Sequence, residues 1–345
     1  MARKKVKTVD LDRENDIAPG LVARTKKRLV VGTGRSHPAL AAAVTQELGT
    51  ELVPTEYRTF ASGEILTRFE VSIRGCDFFL IQTFGPPVNE WLMETLIMLD
   101  AAKRASAKRI TVVAPYYPYS RQDKKGRGRE PISARLVADL WKTAGADRVM
   151  SVDLHAAQIQ GFFDGPVDHL FAKPVLLEYF ERTLSEHDRT HLTVVSPDTG
   201  RVRVADTWSD SLGAPLAIIH KRRDPKVANQ VTVNEIVGQV DGRVCLLVDD
   251  MIDTGGTIVK AAEALKKNGA QKVIVAATHA IFSDPAAEKL QSEAIDEVVV
   301  TDTIPIPPEK QFPTLTILPI APLLARAIHE VFEDGSVTSM FDGAA

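Results

Sequence analysis

Three acids and a run of small residues stand close together in Val248-Asp249-Asp250-Met251-Ile252-Asp253-Thr254-Gly255-Gly256-Thr257. The glycines let backbone N–H groups approach an anion. A helical pattern begins at once (Ile258, Ala261, Ala262, Leu265) and adds the positive end of a helix dipole. Asp249, Asp250 and Asp253 would repel a phosphate, but they suit sugar hydroxyls or a magnesium ion. A sugar phosphate satisfies both halves of the segment. The plainer alternative is a βα turn in which Thr254 and Thr257 cap a helix. Three acids beside a glycine pair are costly without a ligand, which favours the site. No Gly-x-x-x-x-Gly-Lys-Ser/Thr occurs, which argues against a P-loop ATPase.

Other candidates follow strand-like runs, where open α/β sheets bind ligands. Tyr116 to Asp123 follows one run, and Arg121 there offers a planar fork for phosphate or a face for a base. The basic stretch after it, Lys124 to Arg129, reads equally well as a solvated loop. His155 lies just beyond Val152-Asp153, and Asp198 beyond Val194-Val195-Ser196. A lone histidine is more often structural. Beside phosphates, however, His155 and Asp198 suit magnesium, which keeps most of its waters and takes few protein ligands. His220-Lys221-Arg222-Arg223 places three cations in a row, and 225–232 is expected to be mobile. Such a basic lid over a polyphosphate would stabilise charge during transfer; a plain basic turn is the alternative. Phe60-Ala61-Ser62-Gly63-Glu64 is either a base-stacking turn or a buried ring. Gly32-Thr33-Gly34 lacks the third glycine and ribose-binding acid of a dinucleotide fingerprint.

The elements that must position these residues alternate short β-branched runs with helical patterns. The runs are Leu29–Val31, Phe78–Ile81, Ile110–Ala114, Val149–Val152, Leu192–Val195, Leu216–Ile219, Val244–Val248, Val273–Ala277 and Val298–Val300. Such alternation predicts an α/β protein with mostly parallel sheets flanked by helices. The halves repeat one plan. Leu29-Val30-Val31-Gly32 leads through a helix to Leu48-Gly49, as Thr193-Val194-Val195-Ser196 does to Leu212-Gly213. Gly75–Pro115 matches Gly242–Ala277, and Arg135–Asp153 matches Glu288–Asp302. The repeat is broken at its most informative point, because Gln82 and Thr83 replace the acid pair. Two similar domains are expected, 28–165 and 166–330, with a disordered extension at 1–27 and a tail at 331–345.

With 345 residues, 44% hydrophobic and 25% charged, the chain suits a globular protein with a large core. A net charge of −3 argues against a nucleic-acid coat. Two cysteines, Cys76 and Cys245, each beside an apolar run, read as buried free thiols of a reducing cytosol. No apolar run approaches the ~18 residues of a membrane span. The basic N-terminus lacks the apolar stretch of a secretory signal.

These residues together resemble the phosphate-dependent ribose-phosphate pyrophosphokinases, from about Arg28 to Phe341. The carrying segments are Ser72-Ile73-Arg74-Gly75-Cys76-Asp77, Pro87-Val88-Asn89-Glu90, Arg104-Ala105-Ser106-Ala107-Lys108, Tyr119-Ser120-Arg121-Gln122-Asp123, Asp153-Leu154-His155-Ala156, Gln158-Ile159-Gln160-Gly161-Phe162-Phe163 and Val248 to Thr257. The resemblance implies two phosphoribosyltransferase-like domains. It also implies transfer of a diphosphate from Mg-ATP to the 1-hydroxyl of ribose 5-phosphate, giving phosphoribosyl diphosphate and AMP for nucleotide, histidine and tryptophan biosynthesis.

By the same resemblance, Asp253, Thr254, Gly255, Gly256 and Thr257 hold the 5-phosphate, and Asp249 and Asp250 hold ribose hydroxyls and magnesium. His155 and Asp198 contact magnesium or the ATP phosphates. Lys221 and Arg223 neutralise the transferred group, Arg223 also facing the sugar. Arg121, Gln122 and Asp123 bind ATP, and Phe60, Ser62, Gly63 and Glu64 reach adenine from a neighbouring subunit. Inorganic phosphate is implied as activator and ADP as inhibitor, at a site matched by Ser72, Arg74, Ser336, Ser339 and Phe341. A cytoplasmic homohexamer without nucleic-acid or membrane partners is implied. Two departures stand out: Ser62 where the family has an acid, and Gly200-Arg201 where it has paired glycines. The second adds a cation near the ribose or magnesium site. A catalytically silent relative would lack His155 or the lid cations. A phosphoribosyltransferase would need neither the duplicated domain nor the Arg-Gln-Asp element.

Overall fold

The computed structural model describes residues 27–222 and 233–341, with side chains from 221 to 234 excluded. The first half runs β1 (Leu29–Thr33), α1 (Pro38–Leu48), β2 (Thr55–Thr59), β3 (Ile65–Phe69), β4 (Asp77–Ile81), α2 (Val88–Arg104), β5 (Arg109–Ala114), α3 (Ser133–Ala144), β6 (Arg148–Val152) and β7 (Val167–Leu170). The second half runs α4 (Lys173–Thr183), α5 (Glu186–Thr190), β8 (Leu192–Ser196), α6 (Val202–Leu212), β9 (Leu216–Arg222), β10 (Val233–Val237), β11 (Val244–Ile252), α7 (Gly256–Lys267), β12 (Lys272–Ala280), α8 (Ala286–Lys289), β13 (Glu297–Thr301), β14 (Leu315–Leu318) and α9 (Ala321–Phe332). All nine expected runs lie within strands. Their central positions are buried on both faces, which explains why they read as continuous apolar stretches.

The sheets carry the repeat. One has the order β1-β4-β5-β6-β7 and the other β10-β9-β8-β11-β12-β13-β14. Leu29 pairs with Asp77 as Leu192 pairs with Val244, and Asp77 with Arg109 as Val244 with Lys272. Thr111 pairs with Arg148 as Ile274 with Glu297, and Val149 with Val167 as Val298 with Leu315. One alignment of the repeats therefore superimposes the register of all four ladders of the first sheet on ladders of the second. The antiparallel β2–β3 hairpin, a separate two-stranded sheet, corresponds to the β9–β10 pair that joins the second sheet.

The expected boundary at 165/166 needs correction. β7 is the edge strand of the first sheet, so that sheet ends at Leu170. The signal was weak because Val-Asp-His-Leu is half polar and only Leu170 is fully buried. The expected tail also begins too early, since α9 runs unbroken to Phe332 and packs on α1 of the first half. One core cluster accordingly mixes Val31, Leu40 and Val44 with Val194, Leu324 and Ile328. The expected disordered extension lies outside the described residues except Lys27, whose ammonium donates to Phe332 O and pairs with Asp334.

Polar clasps reinforce this shared core. Thr278 Oγ1 donates to Asp153 Oδ2 (2.6 Å), and His279 Nε2 lies 3.0 Å from Val152 O. From the other side, His37 Nε2 lies 2.9 Å from Asp302 O and Thr83 Oγ1 donates to Thr303 O (2.6 Å). Asp153 and Asp302 occupy equivalent corners. Each accepts a backbone N–H, from Ala172 at 3.0 Å and from Ile320 at 2.7 Å.

Candidate active site

Strand β11 carries Asp249 and Asp250 to its C-terminal end, and the loop after it feeds directly into α7. Ile258, Ala261, Ala262 and Leu265 are all buried, as their spacing predicts. Gly255, just before α7, has φ +72°, a left-handed conformation that costs a residue with a Cβ about 1–2 kcal/mol. The start of α7 carries no side-chain cap. Its first N–H groups, with exposed Thr254 and Thr257 beside them, therefore remain available to an anion.

The acid pair lies in a charged knot. The side chains of Asp249 and Asp250 are 15% and 7% exposed, and the Arg201 guanidinium lies 3.5 Å from Asp249 Oδ1 and 2.7 Å from Asp250 Oδ2. His155 Nδ1 lies 2.8 Å from Asp250 Oδ2 and 2.5 Å from Arg201 Nη2. That nitrogen can donate to the acid or accept from the guanidinium, but not both at once. Burial and the Asp250 charge push the Asp249 carboxyl well above the usual range. Burial also opposes ionisation of Asp250, but the His155 hydrogen bond and the Arg201 charge outweigh it and bring that carboxyl below the usual range. Asp198 reaches the knot through backbone: its Oδ1 accepts from Gly200 N (2.8 Å) and Arg201 N (3.1 Å), at the entrance to α6.

Arg121 joins the two halves, because its Nη1 donates to Asp253 Oδ2 at 2.6 Å. Burial raises the Asp253 carboxyl, but hydrogen bonds from Ser283 and Arg121 outweigh it and hold it low. The neighbours of Arg121 are turned elsewhere. Gln122 Oε1 accepts from Ser133 Oγ (2.6 Å), and buried Asp123 accepts from the Gln158 amide. Lys221 lies on β9 opposite Asn234, whereas Arg223 and 225–232 lie outside the described residues.

Phe60, Ser62, Gly63 and Glu64 form the tip of the β2–β3 hairpin. Arg58 stacks on the Phe60 ring (4.8 Å) and Ser62 Oγ donates to Glu64 Oε2 (2.7 Å). Phe60 is 37% exposed, and no hydrogen bond among the described residues ties the tip to the acid pair. Ser72, which accepts from Arg28 through its carbonyl, and Arg74 lie in the turn before β4. Ser339 Oγ donates to Ser336 O, and Phe341 packs edge-on against Phe171 (5.4 Å). No hydrogen bond among the described residues joins these two groups. Cys76 and Cys245 are buried and free; burial pushes Cys76 up, and Cys245 to about 12.

The first-half counterpart of the site is filled by its own side chains. Buried Glu94 accepts from Arg35 N (2.7 Å), Arg35 Nε (2.5 Å) and Gln82 Nε2 (3.0 Å). Ser36 Oγ donates to Gln82 Oε1 (2.6 Å) and accepts from Thr83 N (3.0 Å). Gly34 makes room for this plug, since a Cβ there would collide with the Gln82 amide. Sequence reasoning missed Glu94 and Arg35; the only available signal was an acid on the inner face of α2. It also missed Thr278 and His279, which the repeat aligns with the positions before Tyr117.

Magnesium prefers oxygen ligands, one or two carboxylates with phosphates and water. Asp249 and Asp250 present oxygens side by side and so fit such an ion. Among the described residues, no three His, Cys, Asp or Glu side chains converge to enclose a metal.

A doubly built α/β enzyme with an anion-binding helix start beside an acid pair is the class that fold and site define. A family model described as the N-terminal domain of ribose phosphate pyrophosphokinase matches residues 29–145, and one described as the phosphoribosyl synthetase-associated domain matches 219–342. The chain is 61% identical over 323 residues to a ribose-phosphate pyrophosphokinase of Streptomyces coelicolor, covering 94% of this chain and 99% of that one. It is 58% identical over 321 residues to that of Mycobacterium leprae, covering 93% and 97%. The crystal structure of phosphoribosylpyrophosphate synthetase from Mycobacterium smegmatis aligns with TM-score 0.84 at 56% identity, over 90% of this chain and all of that one. The chain belongs to the ribose-phosphate pyrophosphokinase family. No helix among the described residues is long and apolar enough to cross a membrane.

Proposed function

We infer that this protein transfers the diphosphate of ATP to the 1-hydroxyl of ribose 5-phosphate, releasing AMP and phosphoribosyl diphosphate. The observation that carries this reading is the uncapped start of α7 one short loop after the largely buried acid pair. The Thr254–Thr257 amides and hydroxyls take the 5-phosphate, and Asp253 orients the loop against Arg121. Asp249 and Asp250 accept hydrogen bonds from ribose hydroxyls and so fix the pentose. Arg121 stands where ATP meets the pentose, while Gln122 and Asp123 shape the loop that presents it. Lys221 and Arg223 neutralise the charge that builds on the diphosphate during transfer. Asp249 and Asp250, with His155 and Asp198 nearby, would hold a magnesium ion, which would supply positive charge against the ATP phosphates.

The exposed hairpin tip at Phe60 to Glu64 suits adenine contact across a subunit boundary, in line with a homohexamer. Ser72, Arg74, Ser336, Ser339 and Phe341 are assigned to phosphate activation and ADP inhibition. The buried thiols agree with a cytoplasmic enzyme, and the product would feed nucleotide, histidine and tryptophan synthesis. Incubation with Mg-ATP, ribose 5-phosphate and phosphate, followed by 31P NMR, tests the reaction. AMP and phosphoribosyl diphosphate should form in equal amounts; ADP with a sugar bisphosphate would overturn diphosphate transfer.

A further inference from the structure

Arg201 lies inside the acid-pair knot and touches both acids and His155, yet has no role assigned above. Its guanidinium, 14% exposed, reaches both acids, the His155 carbonyl (3.0 Å) and the His155 ring. We propose that Arg201 is an internal cation that competes with a divalent metal for the Asp249–Asp250 pair and so sets how strongly this site binds metal. The inference rests on the reading of that pair as the face turned to pentose and metal.

A guanidinium keeps its charge at any pH a protein survives, so its hold on the acids is permanent while it stays in place. A divalent ion on Asp250 Oδ2 would have to displace Arg201 and His155, which already share that oxygen, and one on Oδ1 would still bind the carboxylate whose charge the guanidinium neutralises. Two cations cannot sit on one carboxylate oxygen in a half-dry site without strong repulsion. The backbone makes exchange cheap. Asp198 holds Gly200 N and Arg201 N at the entrance to α6, so the side chain can swing away while the chain stays fixed. A substrate phosphate, which a guanidinium engages through two parallel hydrogen bonds, offers the guanidinium its alternative partner.

The test is Mn2+ binding measured by electron paramagnetic resonance on full-length protein without nucleotide or sugar. Arg201→Ala and Arg201→Gln should each bind Mn2+ at least about tenfold more tightly than the parent, since one competing charge is gone. Arg201→Lys should stay near the parent. Adding Asp250→Asn to Arg201→Gln should cancel the gain. Arg201→Gln keeps a planar head group, so it gives a reading even if Arg201→Ala does not fold. Unchanged Mn2+ affinity in Arg201→Gln, or a gain that survives Asp250→Asn, would overturn the proposal. Asp250→Asn alone, assayed for phosphoribosyl diphosphate, separates the two levels. Full activity there sinks the site assignment itself, whereas lost activity with unchanged Mn2+ affinity in Arg201→Gln removes only the role of Arg201.

Discussion

Arg121 and Asp253 are 132 positions apart yet share a 2.6 Å hydrogen bond, and His155 meets Asp250 across 95 positions. The sequence could nominate each of these residues from its neighbours, since each follows a strand-like run. It could not pair them, because pairing depends on how the two sheets face each other. Lys221→Ala should lower kcat with little change in either KM, a loss of about 2–4 kcal/mol of transition-state stabilisation. Steady-state kinetics check this; a large KM rise with kcat intact would remove Lys221 from the transfer step. Asp253→Ala should weaken use of ribose 5-phosphate, and an unchanged KM for that sugar would count against its assignment. Arg201 was visible only as a foreign cation in the sequence; its three partners needed coordinates.

At the level of elements, legibility followed burial. β1, β4, β5, β6, β8, β11, β12 and β13 announce themselves because both faces are covered. The hairpin strands β2 and β3 have no buried position, and β14 has none fully buried, so neither pattern rises above a loop. The start of α7 is where element and chemistry coincide. Gly255→Ala should cost about 1–2 kcal/mol through the left-handed backbone and raise the KM for ribose 5-phosphate, because the loop amides would turn. Denaturant titration with kinetics on the same variant reads both effects. A stable variant with parental KM would show that the loop tolerates another conformation.

Across the whole molecule, the halves are one body. α9 closes over α1, and the core cluster draws residues from both sheets. Unfolding should therefore follow a single transition, and Ile328→Ala should shift all of it by about 2–5 kcal/mol. Two resolved transitions by circular dichroism and tryptophan fluorescence would contradict this. The clasp adds a pH dependence. Burial lowers His279 to about 4, so the native ring stays neutral while the unfolded one protonates below about 6.5. Unfolded chains thus bind more protons between those values, and stability should fall as pH drops from about 6.5 to about 4. His279→Gln should flatten that slope in urea titrations at several pH values; an unaltered slope would place the effect elsewhere. The Glu94–Gln82–Ser36 plug bears on what tandem copying can achieve in such proteins. Writing two aspartates back at Gln82 and Thr83 would strip Ser36 and Glu94 of their amide partner and crowd like charges into a sealed seam. The first half has thus traded its pocket for mortar, and on the reading proposed above each polypeptide is left with a single seat for the pentose.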